Sequence, residues 1–291
     1  MKSRADAAAL HLLAGRMLLL WGWVKLRLAL RVRTSKRLWR RWYNLLSRLT
    51  QLIFGELRFM NYGHLAPGAQ PDPALGADAC QVNMIRYAAT GGGLIDPKGA
   101  RVLEVGCGRG GGAAWMSGTL GAAGVTAIDL SEENIAACRQ QFGAIAGLRF
   151  EVGDAERLPF DDGAFDLVVN VESSHCYPDF RAFLAEAHRV LRPGGTLCIV
   201  DFRLVDRLAA WEADIANGPF ARIAREDLTE AVVRALEADH DRKVATIAAS
   251  GAPRAMHAML QQFTGCRGSE IHRSFVERQR IYLLFVLRRS A

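Results

Sequence analysis

Residues 101–110 read Arg-Val-Leu-Glu-Val-Gly-Cys-Gly-Arg-Gly, an apolar run that carries one acid and then breaks into glycines. Such a run predicts a buried parallel strand that ends in a tight turn. The glycines allow positive φ angles and keep side chains away from a ligand pressed against the turn. Residues 113–116 then favour a helix start, whose free N–H groups can face an anion. The stretch therefore predicts a strand–loop–helix unit that binds a ligand at its turn.

Acids near the ends of predicted strands distinguish between two classes of ligand. They are Glu104, Asp129 and Asp154. The glycine spacing alone also fits a dinucleotide site, in which Asp129 would bind a ribose while Glu104 and Asp154 would have no role. A small cationic nucleoside explains all three acids, because carboxylates suit a sulfonium and an ammonium better than a pyrophosphate.

Five ordered motifs resemble the class I S-adenosylmethionine-dependent methyltransferases over about residues 80–205. Beyond the glycine loop and the acids, they are residues 158–161 (Leu-Pro-Phe-Asp), 165–170 (Phe-Asp-Leu-Val-Val-Asn) and 190–195 (Val-Leu-Arg-Pro-Gly-Gly). The resemblance implies S-adenosylmethionine as cofactor. It implies the following cofactor-binding residues: Tyr62, Glu104, Gly106, Cys107, Gly108, Gly110, Asp129, Leu130, Asp154, Ala155, Glu156 and Asn170.

The order of elements predicts an α/β protein. Strand-like runs alternate with helical stretches after residue 100, which indicates a doubly wound, mostly parallel sheet, and the resemblance implies seven strands. We expect the last strand, residues 281–287, to pair with residues 271–276 and to form the antiparallel edge. We predict a basic helical extension over residues 1–34, a helical cap over residues 35–80 and a methyltransferase domain over residues 81–291. Within this domain we expect an acceptor lid at about residues 205–270.

Charge is distributed unevenly along the chain. Residues 1–60 hold 13 Lys and Arg but two acids, whereas the whole chain of 291 residues has a net charge of +7. A basic segment interleaved with Leu and Trp suits a membrane surface better than nucleic acid, which we do not expect as a partner. Charges interrupt the apolar residues of segment 10–30, so it predicts neither a membrane span nor a secretory signal. For residues 8–33 we favour interfacial membrane contact, and for residues 36–55, capped by Ser35, a helix packed on the catalytic domain.

Six scattered cysteines without a Cys-x-x-Cys pair indicate buried thiols in a reducing compartment. We therefore expect a cytoplasmic enzyme, peripheral on the inner face of the membrane. Asp161 and Asp162 are typical of solvated loop acids, and the sequence predicts no metal site. It leaves the oligomeric state open, with a homodimer as one alternative.

The loop after the fourth strand faces the acceptor in this fold, because the carboxyl ends of the strands line the crevice. Here it reads Asn-Val-Glu-Ser-Ser-His-Cys-Tyr-Pro-Asp over residues 170–179 and contains two proton acceptors, Glu172 and His175. For methylation of a hydroxyl we predict His175 as general base, because its ordinary pKa of about 6.5 lies near neutrality. Glu172 would orient the ring or hold the acceptor.

The same loop, with residues 181–186 and 209–214, looks like that of the phthiotriolone/phenolphthiotriolone dimycocerosates methyltransferases. This similarity begins near residues 35–43, and residues 1–34 have no counterpart in that family. It implies O-methylation of a hydroxyl on a hydrophobic lipid or polyketide-like acceptor. Arg109 departs from the usual glycine-loop pattern, and the divergent residues 215–270 leave the particular lipid open.

Two other functions remain open from the sequence. The Glu172 loop and the Asn61-Tyr62-Gly63 segment also resemble enzymes that methylate alkene carbons of sterols and isoprenoids. In those enzymes the acid would stabilise a carbocation and remove a proton. A non-catalytic S-adenosylmethionine-binding protein is disfavoured, because the acceptor loop keeps both its acid and its histidine.

Overall fold

The computed structural model describes residues 4–29, 35–55 and 57–290. The seven strands found there are β1 (Arg101–Val105), β2 (Gly124–Asp129), β3 (Leu148–Val152), β4 (Phe165–Val171), β5 (Leu191–Leu204), β6 (Phe220–Asp227) and β7 (Arg280–Arg289). The α-helices of the same residues are α1 (Arg4–Ala29), α2 (Lys36–Phe54), α3 (Ala79–Ala89), α4 (Gly111–Thr119), α5 (Glu132–Phe142), α6 (Phe180–Val190), α7 (Val205–Ala216), α8 (Thr229–Ala238), α9 (His240–Ala249), α10 (Arg254–Phe263) and α11 (Glu270–Val276).

All seven strands form one sheet in the order β3-β2-β1-β4-β5-β7-β6. Strands β1 to β5 are parallel, whereas β7 runs antiparallel to β5 and to β6. The predicted doubly wound fold is thus confirmed. The chain reverses its direction of winding between β1 and β4, and ligands bind such folds at the carboxyl ends of the strands beside this switch.

The predicted pairing of the last strand is wrong. Residues 271–276 lie in helix α11, where the side chain of Ser269 accepts a hydrogen bond from the N–H of His272. The partner of β7 is β6, which is the edge strand, so β7 lies inside the sheet. Because most residues of β6 are exposed on both faces, its sequence lacks the apolar pattern of a buried strand.

Helices α8 to α10 follow β6 within the segment for which we predicted an acceptor lid. Phe220–Asp227 belongs to the sheet, so the lid stays a prediction only for the helices of this segment. At the other predicted boundary, near residue 80, helix α3 runs from Ala79 to Ala89 without interruption.

The two N-terminal helices pack on each other and on α10. Ser35 caps α2, since its Oγ accepts a hydrogen bond from the N–H of Leu38 at 3.3 Å. The rings of Trp21 and Trp42 lie 5.3 Å apart, and Met17 is fully buried between the helices. Residues 30–33 of the segment predicted to contact a membrane lie outside the described residues, as does residue 34. Among the described helices, none is both long and apolar enough to span a bilayer.

Candidate active site

The glycine loop after β1 forms the predicted turn. Gly106 has a φ of 79°, and a Cβ there would lie 2.4 Å from Ser173 Oγ. Gly110 has a φ of 78°, and its Cβ would lie 2.8 Å from Cys138 Sγ. Close packing therefore requires glycine at both positions.

Two cavities adjoin at this loop, each with about 660 Å³ of empty space, counting the part open to solvent. The inner cavity is lined by residues that include Tyr62, Glu104, Cys107, Glu172 and His175. The outer cavity is lined by residues that include Asp129, Leu130, Asp154, Ala155 and Glu156. Gly106, Gly108 and Glu172 border both cavities. The structure thus brings every predicted site residue to these cavities except Gly110 and Asn170.

Asn170 has a positioning role. It is completely buried, and its Nδ2 donates to the carbonyl of Val105 at 2.9 Å, to Ser173 Oγ at 2.8 Å and to Tyr177 OH at 2.9 Å. These bonds tie the loop after β4 to the end of β1. Asn170 is not among the residues that line either cavity, its Oδ1 is buried without a partner, and its contact with the cofactor stays a prediction.

Glu104 stands at the end of β1 with an unsatisfied oxygen. Its side chain accepts a hydrogen bond from the N–H of Ala113, and Oε2 is buried without a partner. Burial raises the pKa of this carboxyl to about 8. The ionised form consequently calls for a cationic group from outside the protein.

Asp129, at the end of β2, fixes the glycine loop. Its Oδ2 accepts from the N–H of Gly108 at 2.9 Å, and its Oδ1 accepts from the N–H of Ser131 at 2.8 Å. Burial raises its pKa to about 6 despite these bonds. Because a carboxylate has about four acceptor sites, Asp129 retains capacity for further donors in the outer cavity.

The outer cavity contains a cation that the sequence analysis missed. Lys36 Nζ lies 2.6 Å from Asp154 Oδ2 and 2.7 Å from Glu156 Oε2. The three residues line the cavity together with Trp39 and Tyr43. No local pattern marks Lys36 as a site residue, because its partners lie more than a hundred residues further along the chain.

Helix α2 touches the loops after four strands. Ser47 accepts a hydrogen bond from Arg109 Nη1 at 2.7 Å, and Asn44 Oδ1 accepts one from Ser131 Oγ at 2.6 Å. The hydroxyl of Tyr43 lies 3.4 Å from Cys176 Sγ, and Lys36 makes the fourth contact, which is described above. Arg48 also pairs with Glu133. The helix thus forms the wall of the outer cavity opposite the sheet.

His175 is held by Asp201, a residue that the sequence analysis did not select. His175 Nδ1 lies 2.8 Å from Asp201 Oδ1, and the ring packs against Phe202 at an interplanar angle of 30° with 4.6 Å between centroids. Because a carboxylate only accepts, Nδ1 carries the proton and Nε2 is the basic atom of the neutral ring. Burial lowers the pKa of His175, but Cys176 and Asp201 outweigh burial and raise it well above its ordinary value.

Asp201 is itself well compensated. It is completely buried at the end of the apolar part of β5, and Arg203 Nη1 lies 3.3 Å from its Oδ2. Burial opposes its ionisation, but His175 and Arg203 hold the pKa of Asp201 well below its ordinary range. The pair is therefore a histidine oriented by a permanent carboxylate.

Glu172 borders both cavities. Its backbone is strained, with a φ of 47°. Its Oε1 accepts from the N–H of Tyr62 at 2.7 Å and from the hydroxyl of Tyr282 at 2.8 Å. Burial raises its pKa to about 7. Both protein donors are on Oε1, which leaves Oε2 without a hydrogen bond from any described residue.

A third space, the apolar chamber, lies behind the inner cavity and encloses about 1420 Å³, again counting its open part. Its apolar wall comprises Phe54, Leu57, Phe59, Ile247, Leu260 and Phe263, and the rest of its lining includes the polar side chains of Arg58, Asp78, Gln81, Arg242 and Lys243. Residues 58–62 border both this chamber and the inner cavity. The chamber therefore lies beside the cavity of Glu172 and His175, with segment 58–62 between them.

Comparison with known proteins gives the family. Residues 103–199 match the family described as methyltransferase domain. The phthiotriol/phenolphthiotriol dimycocerosates methyltransferase of Mycobacterium tuberculosis is 38% identical over 243 residues, which cover 82% of this chain and 87% of that protein. This chain belongs to that methyltransferase family.

Two further proteins are similar to this chain, one in sequence and one in fold. A fatty-acid O-methyltransferase of Mycolicibacterium smegmatis is 40% identical over 188 residues, covering 63% of this chain and 66% of that enzyme. The structure of geranyl diphosphate C-methyltransferase from Streptomyces coelicolor A3(2) aligns with a TM-score of 0.60 at 17% identity, covering 87% of this chain and 97% of that one. At this identity the structural likeness concerns the fold alone.

The methyltransferase uses S-adenosylmethionine as its cofactor, and the residues of the two cavities fit this molecule. The orphaned Oε2 of Glu104 suits its ammonium, and Asp129 retains acceptor capacity for ribose hydroxyls. Asp154 also lines the outer cavity, and its carboxylate can accept from an adenine amino group. Among the described residues there is no cluster of side chains that could hold a metal ion.

Proposed function

We propose that this methyltransferase transfers a methyl group to a hydroxyl of a hydrophobic lipid or polyketide-like acceptor. The observation that carries the proposal is the apolar chamber, which shares the wall formed by residues 58–62 with the cavity of Glu172 and His175. The names of two relatives support it, since one acts on phthiotriol dimycocerosates and the other on fatty acids.

The proposed chemistry assigns each side chain a task. S-adenosylmethionine supplies the methyl group as an electrophilic sulfonium. His175 Nε2 takes the proton of the acceptor hydroxyl as its oxygen attacks, and Asp201 stabilises the resulting imidazolium through Nδ1–H. Glu172 holds the hydroxyl with Oε2 while Tyr62 and Tyr282 fix its other oxygen. The transfer leaves neutral S-adenosylhomocysteine, and the positive charge of the sulfonium ends on the imidazolium. Apolar walls exclude water, which strengthens the electrostatic interactions in the site.

Two variants on one accepted substrate test the base and the reaction class together. For hydroxyl methylation, His175→Ala should lower turnover by about 10²–10⁴ with little change in cofactor affinity. For methylation of an isoprenoid or sterol-like alkene, Glu172→Gln would be the crippling change and His175→Ala would be mild. The O-methyltransferase relative favours the first outcome. A double variant as active as the wild type would instead indicate a protein whose loop has no catalytic role.

The acceptor itself can be found by direct labelling. We expect methyl-labelled S-adenosylmethionine, incubated with enzyme and a lipid extract of the host cell, to label an apolar fraction that resists mild alkali as an ether does. His175→Ala enzyme is the control for transfer that does not need the site. Label confined to water-soluble compounds would contradict a lipid acceptor.

Peripheral membrane contact is the second part of the proposal. On α1 the residues Leu12, Leu19 and Trp23 are 61%, 79% and 50% exposed and follow one stripe of the helix. The opposite stripe is buried against α2 and α10, helices that also line the apolar chamber. With 13 Lys and Arg in residues 1–60, an anionic bilayer is the partner that suits this face.

A vesicle assay tests this face. Leu12→Glu/Leu19→Glu enzyme should no longer float with phosphatidylglycerol vesicles. Ile223→Glu, at a residue 48% exposed on β6, should float like the wild type. Binding that ignores salt, or that survives the double substitution, would contradict the proposal. A double variant that changes only the concentration dependence of self-association would assign the face to a second copy of the chain.

A further inference from the structure

Arg109 is a buried cation inside the glycine loop. Its side chain is 3% exposed, and the residue lines the inner cavity next to Glu104. Its Nε donates to the carbonyl of Leu57 at 3.2 Å, and its Nη1 donates to Ser47 Oγ at 2.7 Å. Both acceptors are neutral, so the guanidinium keeps its full charge in this buried place.

No carboxylate among the described residues pairs with Arg109. Among the described residues the other buried Lys or Arg is Lys243. It lies 3.4 Å from Asp239 and is thus paired with an opposite charge, as buried cations usually are. Burial alone disfavours the charge of Arg109 and lowers its pKa. An isolated buried charge is expensive, and proteins that keep one compensate it with an opposite charge. Among the described residues the compensating anion is thus absent, and a ligand in the inner cavity, which Arg109 lines, can supply it.

The inner cavity also presents the complementary group. Glu104 Oε2 is buried without a donor in the same cavity wall. One unpaired cation and one unsatisfied carboxyl group together match a zwitterion that carries an ammonium and a carboxylate on the same carbon atom. The amino-acid end of S-adenosylmethionine is such a zwitterion.

We propose that Arg109 binds the α-carboxylate of S-adenosylmethionine, while Glu104 receives its ammonium group. Arg109 is thus a residue that selects the amino-acid end of the cofactor, and Ser47 and Leu57 position its guanidinium from α2 and the segment that follows it. This assignment concerns the cofactor alone and is independent of the identity of the acceptor.

Decarboxylated S-adenosylmethionine separates this role from a structural one, because it lacks only the proposed partner of Arg109. Calorimetry should show that the wild type binds S-adenosylmethionine at least tenfold more tightly than the decarboxylated compound. In Arg109→Met enzyme the affinity for S-adenosylmethionine should fall about 10–100-fold, the range expected for a charge-assisted hydrogen bond to a carboxylate. Its affinity for the decarboxylated compound should stay within about twofold of the wild type.

Ser47→Ala is the matched control, since it removes one hydrogen bond of Arg109 and keeps its charge. We expect this variant to retain most of the preference for the carboxylated cofactor. Equal weakening of both ligands by Arg109→Met would show a purely structural role and overturn the proposal. Equal affinity of the wild type for the two ligands would do so too, even if Arg109→Met did not fold.

Discussion

Replacing Asp201 with asparagine tests the orientation of His175 with almost no change of shape. Asp201 Oδ2 accepts from the N–H of His175 at 2.9 Å and from Ser174 Oγ at 2.6 Å, and Arg203 lies 3.3 Å away. An amide oxygen would stay where these three donors converge, so the NH₂ group would turn toward His175 Nδ1. The neutral ring would then carry its proton on Nε2 and could not accept one there.

The expected loss follows from the removal of a positioned base. We expect kcat of Asp201→Asn enzyme to fall about 10²–10⁴-fold, which corresponds to about 3–5 kcal/mol of activation free energy. The variant should also be less stable, because the N–H of Phe202, which donates to Oδ1 at 2.8 Å, would face the new NH₂ group.

The pH dependence carries the more specific signature. The net effect of burial, Cys176 and Asp201 raises the pKa of His175 well above its ordinary value. Since the base is the neutral ring, wild-type kcat should rise with pH through that raised pKa. Removing the negative charge of Asp201 lowers the pKa of His175, so the acidic limb of Asp201→Asn enzyme should move to lower pH.

Turnover measured against pH at saturating cofactor gives both the fall in kcat and the position of the acidic limb. Calorimetry with S-adenosylhomocysteine should show wild-type affinity, because Asp201 borders neither cavity. Asp166→Asn is a matched control: Asp166 pairs with Arg101 and Arg192 at the opposite end of the sheet, so its loss should lower stability without moving the limb. Wild-type turnover and an unmoved acidic limb in Asp201→Asn enzyme would refute the base assignment.

Three further predictions concern the cofactor side. Because burial raises the pKa of Glu104 to about 8, binding of the cofactor ammonium at pH 7 should release roughly one proton; calorimetry in buffers of different ionisation enthalpy should detect it, and Glu104→Gln should abolish it. Gly110→Ala should cost about 1–3 kcal/mol more stability in thermal melts than Gly147→Ala, since both have a φ of 78° but only Gly110 is crowded by Cys138; equal losses would contradict this. Lys36 lines the outer cavity and pairs with Asp154 and Glu156, so Lys36→Met should speed release of S-adenosylhomocysteine about threefold to tenfold in stopped-flow fluorescence of Trp39. The exposed Arg40→Met should leave the rate unchanged, and an unaltered rate in the Lys36 variant would show that Lys36 does not slow release.

Local patterns were sufficient for the central part of the site. Glu104 and Asp129 could be found because each closes an apolar strand, and the carboxyl ends of parallel strands meet at one edge of the sheet. Asp201 follows the same rule, because it ends the apolar run Thr-Leu-Cys-Ile-Val over residues 196–200, and this pattern is the local signal for it. The structure shows this acid beside His175 in place of the orienting role considered for Glu172.

Other features were beyond local reasoning. Lys36 resembles any surface lysine at a helix start until the fold brings Asp154 within 2.6 Å. Asn170 is a polar residue near the end of an apolar strand, but its hydrogen bonds to β1 and to the loop after β4 depend on the fold and cannot be seen in the local sequence. Strand β6 is held by main-chain pairing with β7, and such pairing leaves little trace in an exposed sequence.

The contacts of α2 also bear on how the chain is made. The partners of three residues of α2 are made much later: Arg109 follows Ser47 by 62 residues, Ser131 follows Asn44 by 87, and Cys176 follows Tyr43 by 133. On a ribosome, which adds roughly 5–20 residues per second, these three side chains of α2 remain without their partners for several seconds. Interactions of such long sequence separation form late in folding. The helix that emerges early is therefore among the last to find its place, and a nascent chain stalled before residue 176 would present that face to chaperones.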